Sequence, residues 1–199
     1  MDSPEHIFSA YMQGYFPMAR GKHGRIEFLY CDPRAIIPLD ERFTTRRSLR
    51  QIINKKTFDI RFDTAFKEVI RACARHDELP DHEIWLSEEM IDVYCELHKR
   101  GIAHSVEVWQ DDRLEGGLYG LVLGSAFCGE SMFSRKPFAS QVALAALVEH
   151  LREKKFTLLD AQMDSEHLHQ FGLYTVSQSE YLVMLKEAMG MNAEWNSVS

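Results

Sequence analysis

Leu158-Leu159-Asp160-Ala161-Gln162 ends an apolar run with a carboxylate and an amide two residues apart. In an extended strand that spacing sends both side chains to one face. A carboxylate beside an amide can orient an amine and stabilise the charge that develops in acyl transfer. The same pair fits a strand that turns polar as it leaves the core, and spacing leaves both readings open. A second stretch, Gly116-Gly117-Leu118-Tyr119-Gly120 followed by Phe127-Cys128-Gly129-Glu130-Ser131-Met132-Phe133-Ser134, gathers glycines, a carboxylate, hydroxyls and bulky apolar groups. Its glycines allow close backbone approach and positive φ. Glu130 and its apolar neighbours could hold a small amphipathic group such as an amino acid. A twisted hairpin whose Met132 and Phe133 fill a core is the alternative.

One conspicuous basic stretch carries Arg42, Arg46, Arg47, Arg50, Lys55, Lys56 and Arg61, opposed only by Glu41 and Asp59. Arg46, Arg47 and Arg50 would share roughly one helical face. Such a face either contacts the phosphates of an RNA strand, with strong salt dependence, or is simply solvated. Trp85 and Trp109 can stack a base or pack a core. Glu107 reads as a surface acid and His104 as a satisfied histidine. No Ser-His-Asp order or nucleophile elbow supports covalent catalysis.

The net charge of −7 argues against a surface coated for duplex nucleic acid, while leaving room for a local basic patch. An acidic body also favours a cationic substrate. Cys31, Cys73, Cys95 and Cys128 form no C-x-x-C pair and no zinc-ligand spacing, so no metal is expected. They read as thiols of a reducing compartment. The start shows no secretory pattern, and no apolar run approaches the ~18 residues of a membrane span. A cytosolic monomer is expected.

The elements that must position these residues follow from periodicity. Residues 1–62 read as a small unit: a helix near Ile7–Met12, a strand near Ile26–Tyr30, a threonine-capped helix from Thr44 and a strand at Phe58–Phe62. In 63–199, Asp63 is expected to cap a helix bearing Phe66, Val69, Ile70 and Cys73. Ser87 caps the next, with Gly101 as its stop. From His104 the period becomes two, with strands joined by an Asp111-Asp112-Arg113 turn. A helix over Ser140–Lys155 and a buried strand over Phe156–Ala161 come next. Tyr181–Leu185 fits helix or strand, and the tail after Gly190 reads as frayed. The order implies an α+β fold with helices over a mostly antiparallel sheet. Hairpin, helix, strand also occurs in acetyltransferase-like folds. The pyrophosphate-cradling [QR]-x-x-G-x-[GA] turn of such enzymes is missing, which argues against acyl-CoA.

The chain resembles the bacterial leucyl/phenylalanyl-tRNA–protein transferases. The matching stretches are Gly14-Tyr15-Phe16-Pro17-Met18, Asp32-Pro33-Arg34-Ala35, Cys73-Ala74, Ile84-Trp85-Leu86, His98 to Trp109, Gly116 to Gly120, Gly129 to Ser134, Ala139-Ser140 and Leu159-Asp160-Ala161-Gln162. They keep the family's order over nearly the whole chain. The resemblance implies transfer of leucine or phenylalanine from aminoacyl-tRNA to an N-terminal Arg or Lys, marking the acceptor for degradation. It also implies a small N-terminal domain, an acetyltransferase-like C-terminal domain, and no need for metal or CoA. By match, Asp160 and Gln162 form the catalytic pair. Glu130 lines the site, and Phe127, Gly129, Ser131 and Met132 lie near the amino-acid pocket. Trp85 sits near the 3′ adenosine, and Arg42, Arg46, Arg47, Arg50, Lys55 and Lys56 hold the acceptor stem. The sequence departs from the family pattern at Phe28-Leu29-Tyr30-Cys31, where two tryptophans are usual, and at Gln141 and Ala161. Those departures keep two rivals in view: a transferase with another donor on the same scaffold, and a non-catalytic RNA- or peptide-binding relative.

Overall fold

The computed structural model describes residues 3–196. Helix α1 (Pro4–Met12) starts where the Ser3 hydroxyl accepts the His6 N–H, with proline in the first turn, where its missing N–H costs nothing. Strands β1 (Phe16–Ala19) and β2 (Ile26–Leu29) form a separate hairpin. Strand β3 (Arg34–Ile37) is buried at every residue. Helix α2 (Arg47–Asn54) has Arg46 as its N-cap and no side-chain cap. The threonine expected there is used elsewhere: Thr44 Oγ1 donates to the Gln170 carbonyl at 2.9 Å.

After β4 (Asp59–Phe62) comes α3 (Phe66–Ala74), whose start corrects two expectations. Asp63 does not cap it. Glu107, expected at the surface, is fully buried, and its Oε1 accepts the N–H groups of Thr64 and Ala65 at 2.9 Å each. Its Oε2 accepts the Thr64 hydroxyl. Asp63 faces the other way, accepting from Ser105 N at 2.9 Å and Trp195 Nε1 at 2.8 Å and pairing with His104 Nδ1 at 2.8 Å. His104 Nε2 lies 3.0 Å from the Gly101 carbonyl, so this histidine is satisfied, as expected.

A 3₁₀ turn at Asp81–Glu83 leads to α4 (Glu88–Lys99), capped by Ser87 and followed by Gly101 at φ +70°. Strands β5 (Ala103–Gln110) and β6 (Arg113–Leu123) meet through Asp111 and Asp112, both at positive φ, the geometry that matches strand twist. Then come β7 (Ala126–Ser134), α5 (Ala139–Glu153), β8 (Leu158–Gln162), α6 (Glu166–His169), β9 (Tyr174–Val176) and α7 (Gln178–Met189). A Ser177/Glu180 capping box makes Tyr181–Leu185 helical.

The main sheet runs β4-β5-β6-β7-β8-β3-β9, with β7 and β8 parallel and the other pairs antiparallel. This is the expected α+β class, with the hairpin–helix–strand order β6-β7-α5-β8. Two strands from residues 1–62 belong to this sheet: β3 lies between β8 and β9, and β4 forms an edge. Helices α1, α3, α4 and α7 cover one face, burying Tyr11, Phe66, Tyr94, Tyr119 and Tyr181. Helices α2 and α5 cover the other, burying Leu49, Val142, Leu147, Phe127 and Leu159. The tail after Gly190 is not frayed through its described part: Trp195 is buried, its ring 4.5 Å from that of His104 and 5.4 Å from that of Phe127. Residues 197–199 lie outside the described residues.

Gly116 and Gly120 serve close packing. A Cβ on Gly116 would sit 2.5 Å from the Ala139 Cβ of α5, and one on Gly120 2.3 Å from the Cys128 carbonyl. Neither has positive φ, so the second freedom expected of these glycines is not used.

Candidate active site

Strands β7 and β8 pair from Ala126/Leu158 to Cys128/Asp160; beyond that pair no ladder joins them, although β7 continues to Ser134. A bulge lies on each side of the opening. Tyr119 faces Ser131 and Gly120 faces Gly129, which leaves Glu130 as the extra residue of β7. Ala35 faces Gln162 and Ile36 faces Asp160, which leaves Ala161 unpaired on β8. Gln162 turns to φ +61° and donates from Nε2 to Glu130 Oε1 at 2.7 Å. Bulges re-aim side chains, and here they bring a carboxylate and an amide together across the gap.

Glu130 lines two hollows. A cavity of about 230 Å³ has apolar walls from Leu118, Met132, Leu144, Leu147 and Leu159, with Glu130, Ser131, Asp160, Ser165 and His167 in its polar lining. A smaller hollow of about 70 Å³ lies between Glu130, Gln162, Met163, Trp85 and the β1 residues Phe16, Pro17 and Met18. Burial pushes the Glu130 carboxyl up to about 7, against the nearby Tyr11 and Tyr94 hydroxyls and the Gln162 amide, which favour its charged form. Tyr94 donates to Glu130 Oε2 at 3.0 Å. Each carboxylate oxygen therefore has one donor and keeps acceptor capacity for a ligand.

Asp160 is held differently. Its side chain is 0 % exposed and receives Arg34 Nε at 2.9 Å and Nη2 at 2.6 Å, Tyr181 Oη at 2.8 Å and the Gln162 backbone N–H at 2.9 Å. Arg34 in turn lies over the rings of Tyr181 and Phe16, at 4.2 and 5.1 Å, and donates to the Gly14 carbonyl. Hydrogen bonding to Asp160 raises the Arg34 guanidinium above its ordinary value in spite of burial. Among the described residues no three His, Cys, Asp or Glu side chains converge as a metal-binding group.

Residues 36–186 match the family model described as leucyl/phenylalanyl-tRNA protein transferase. The chain is 50% identical over 187 residues to the leucyl/phenylalanyl-tRNA–protein transferase of Akkermansia muciniphila, covering 94% of this chain and 96% of that one. The transferase so named in Herpetosiphon aurantiacus is 49% identical over 191 residues, covering 96% of each chain. This chain belongs to the leucyl/phenylalanyl-tRNA–protein transferase family. Among solved structures, the L-PGS of Bacillus licheniformis aligns with TM-score 0.48 and 12% identity over 94% of this chain and 71% of that one. A likeness that distant says nothing of substrate.

For a chain of this family the placement of the expected site residues is informative. Gly129, Glu130, Ser131, Met132 and Asp160 line the larger cavity, and Glu130, Gln162 and Trp85 the smaller. Asp160 and Gln162 are adjacent but unlike, since the carboxylate is enclosed by its own partners and the amide reaches Glu130. Phe127 lies outside both linings, fully buried and stacked on Trp195. Arg46, Arg47, Arg50, Lys55 and Lys56 are exposed and make no ion pair among the described residues. Arg42 is also exposed, but Asp40 holds it at 2.7 Å and its guanidinium lies over Tyr174. Arg34, Tyr181, Tyr94 and Tyr11 were not singled out from the sequence. A lone arginine entering the apolar run Ala35-Ile36-Ile37 was a legible sign of a buried cation in need of an anion. Tyr94 sits at ordinary helical spacing and gave no such sign.

Proposed function

We propose that this transferase moves leucine or phenylalanine from aminoacyl-tRNA to the N-terminal Arg or Lys of acceptor proteins, marking them for degradation. The observation that carries the reading is Glu130, a carboxylate with free acceptor capacity on the wall of a 230 Å³ apolar cavity. An esterified amino acid has the matching shape, an α-ammonium beside an apolar side chain. Leu118, Met132, Leu144 and Leu147 receive that side chain, and the Trp85 hollow receives the terminal adenosine. Arg46, Arg47, Arg50, Lys55 and Lys56 hold the acceptor stem, with Arg42 contributing less because Asp40 occupies it.

The reaction is direct aminolysis. The acceptor's α-amine nitrogen attacks the ester carbonyl carbon, the bond from that carbon to the ribose oxygen breaks, and the leaving oxygen takes up the proton the amine loses. Gln162 orients the amine next to Glu130, so positioning is the main source of rate. Asp160 acts through Gln162, fixing its backbone turn. The test is tRNA charged with radiolabelled leucine or phenylalanine and a peptide beginning with Arg. Label should move to the peptide, and its absence with folded protein would refute the assignment.

A further inference from the structure

We propose that Tyr11 and Tyr94 are positioning residues of the transfer site, acting in series on Glu130, and that helix α1 is thereby part of that site. The proposal rests on the role given to Glu130 above and extends it to two residues that touch neither cavity. Tyr11 and Tyr94 are 1 % and 0 % exposed, and their hydroxyl oxygens are 2.5 Å apart. The Tyr94 proton is committed to Glu130 Oε2, so Tyr11 must be the donor to Tyr94. The order is Tyr11 to Tyr94 to Glu130, a chain in which each bond polarises the next. On the other oxygen Gln162 donates from the opposite side of the gap. Glu130 is therefore clamped between α4 and β8, with α1 behind the α4 tyrosine.

The groups that face Glu130 are few. Tyr11 comes from α1, Tyr94 from α4, Tyr119 from β6, Cys128 from its own strand, and Asp160 and Gln162 from β8. No cation pairs with Glu130 among the described residues. Its charged form is thus stabilised by neutral donors alone until a cationic substrate arrives. Removing a donor to a carboxylate favours the protonated form, which cannot hold an ammonium group as a salt bridge.

The test reads Glu130 directly and needs no tRNA. In protein labelled with carbon-13 at the glutamate carboxyl, the Glu130 signal is identified by its loss in Glu130→Gln and followed against pH. Tyr94→Phe should raise the midpoint by about 1–2 pH units, the worth of one hydrogen bond to a carboxylate. Tyr11→Phe should raise it less, and should add nothing in the Tyr94→Phe background. Tyr30→Phe, at an exposed tyrosine, should leave it alone. In the transfer assay the acid limb of kcat/KM for charged tRNA should move to higher pH with the midpoint. A midpoint unchanged in folded Tyr94→Phe overturns the proposal. A Tyr11→Phe protein that titrates like the parent, or that adds its full effect without Tyr94, removes α1 from the site. Failure of transfer with the parent protein would sink the assigned reaction and leave these titrations standing.

Discussion

At the scale of single residues, two carboxylates with unlike partners share one opening. Asp160 has an arginine, a tyrosine and a backbone N–H; Glu130 has two neutral donors and the cavities. Truncating one partner of a buried ion pair leaves the other charge uncompensated and costs about 3–5 kcal/mol. Arg34→Met should therefore lower the chemical-denaturation midpoint strongly. Asp160→Asn should reduce transfer strongly while leaving tRNA binding, followed by filter retention, nearly unchanged. Glu130 behaves in the opposite sense. Its carboxyl is raised from 4.5 to about 7, so the folded state holds this proton more tightly than the unfolded chain. Its contribution to stability is full below about 4.5 and is lost as pH rises towards 7. Glu130→Gln should then stabilise the fold at pH 8 by roughly 1–3 kcal/mol, read as a higher Tm, while raising the donor KM at least about tenfold through loss of the charge pair. The Asp160/Gln162 spacing was legible in the sequence because a two-residue period is local. The difference in their roles was not, because Arg34 lies 126 residues from its partner.

At the scale of elements, the local signals read well and the distant ones did not. Ser87, Gly101 and the Asp111-Asp112 loop act on their own neighbours, and each marks a boundary as expected. The start of α3 was misread because its cap comes from Glu107, 43 residues from Thr64. Substituting Glu107 by Ala should cost about 2–3 kcal/mol, since two backbone N–H groups and a hydroxyl lose their acceptor inside the protein. Urea melts of Glu107→Ala against Glu107→Gln, which keeps one acceptor oxygen, would measure it. The bulges at Glu130 and Ala161 had no signature in composition or period, although they aim the site. Bulges depend on what the neighbouring strand does, and one sequence does not show the register.

At the scale of the whole molecule, a body of net charge −7 carries a compact group of unpaired cations on and beside α2. With the role proposed for that group, overall repulsion of RNA and local attraction would act together and favour binding in one orientation. Arg46→Glu with Arg50→Glu should weaken charged-tRNA binding and flatten its dependence on log salt by about two ion contacts, whereas Arg42→Ala should change the slope little. The chain end also matters globally. Deleting the residues from Trp195 onward removes a large buried ring and the Asp63 hydrogen bond, a loss of about 3–5 kcal/mol by thermal melting. Composition showed that this chain would fold and left the tail unread, since a single tryptophan near an end has no periodic company.

Strand β3 is made third and lies sixth in the sheet, between two strands made near the end. A ribosome that has released the first hundred residues has therefore exposed Arg34 with neither flanking strand yet in existence and its counter-ion still to be synthesised. Chains that stop before β8 and β9 lack both sheet neighbours of β3 and the carboxylate that compensates Arg34, so the proposed site would be assembled last.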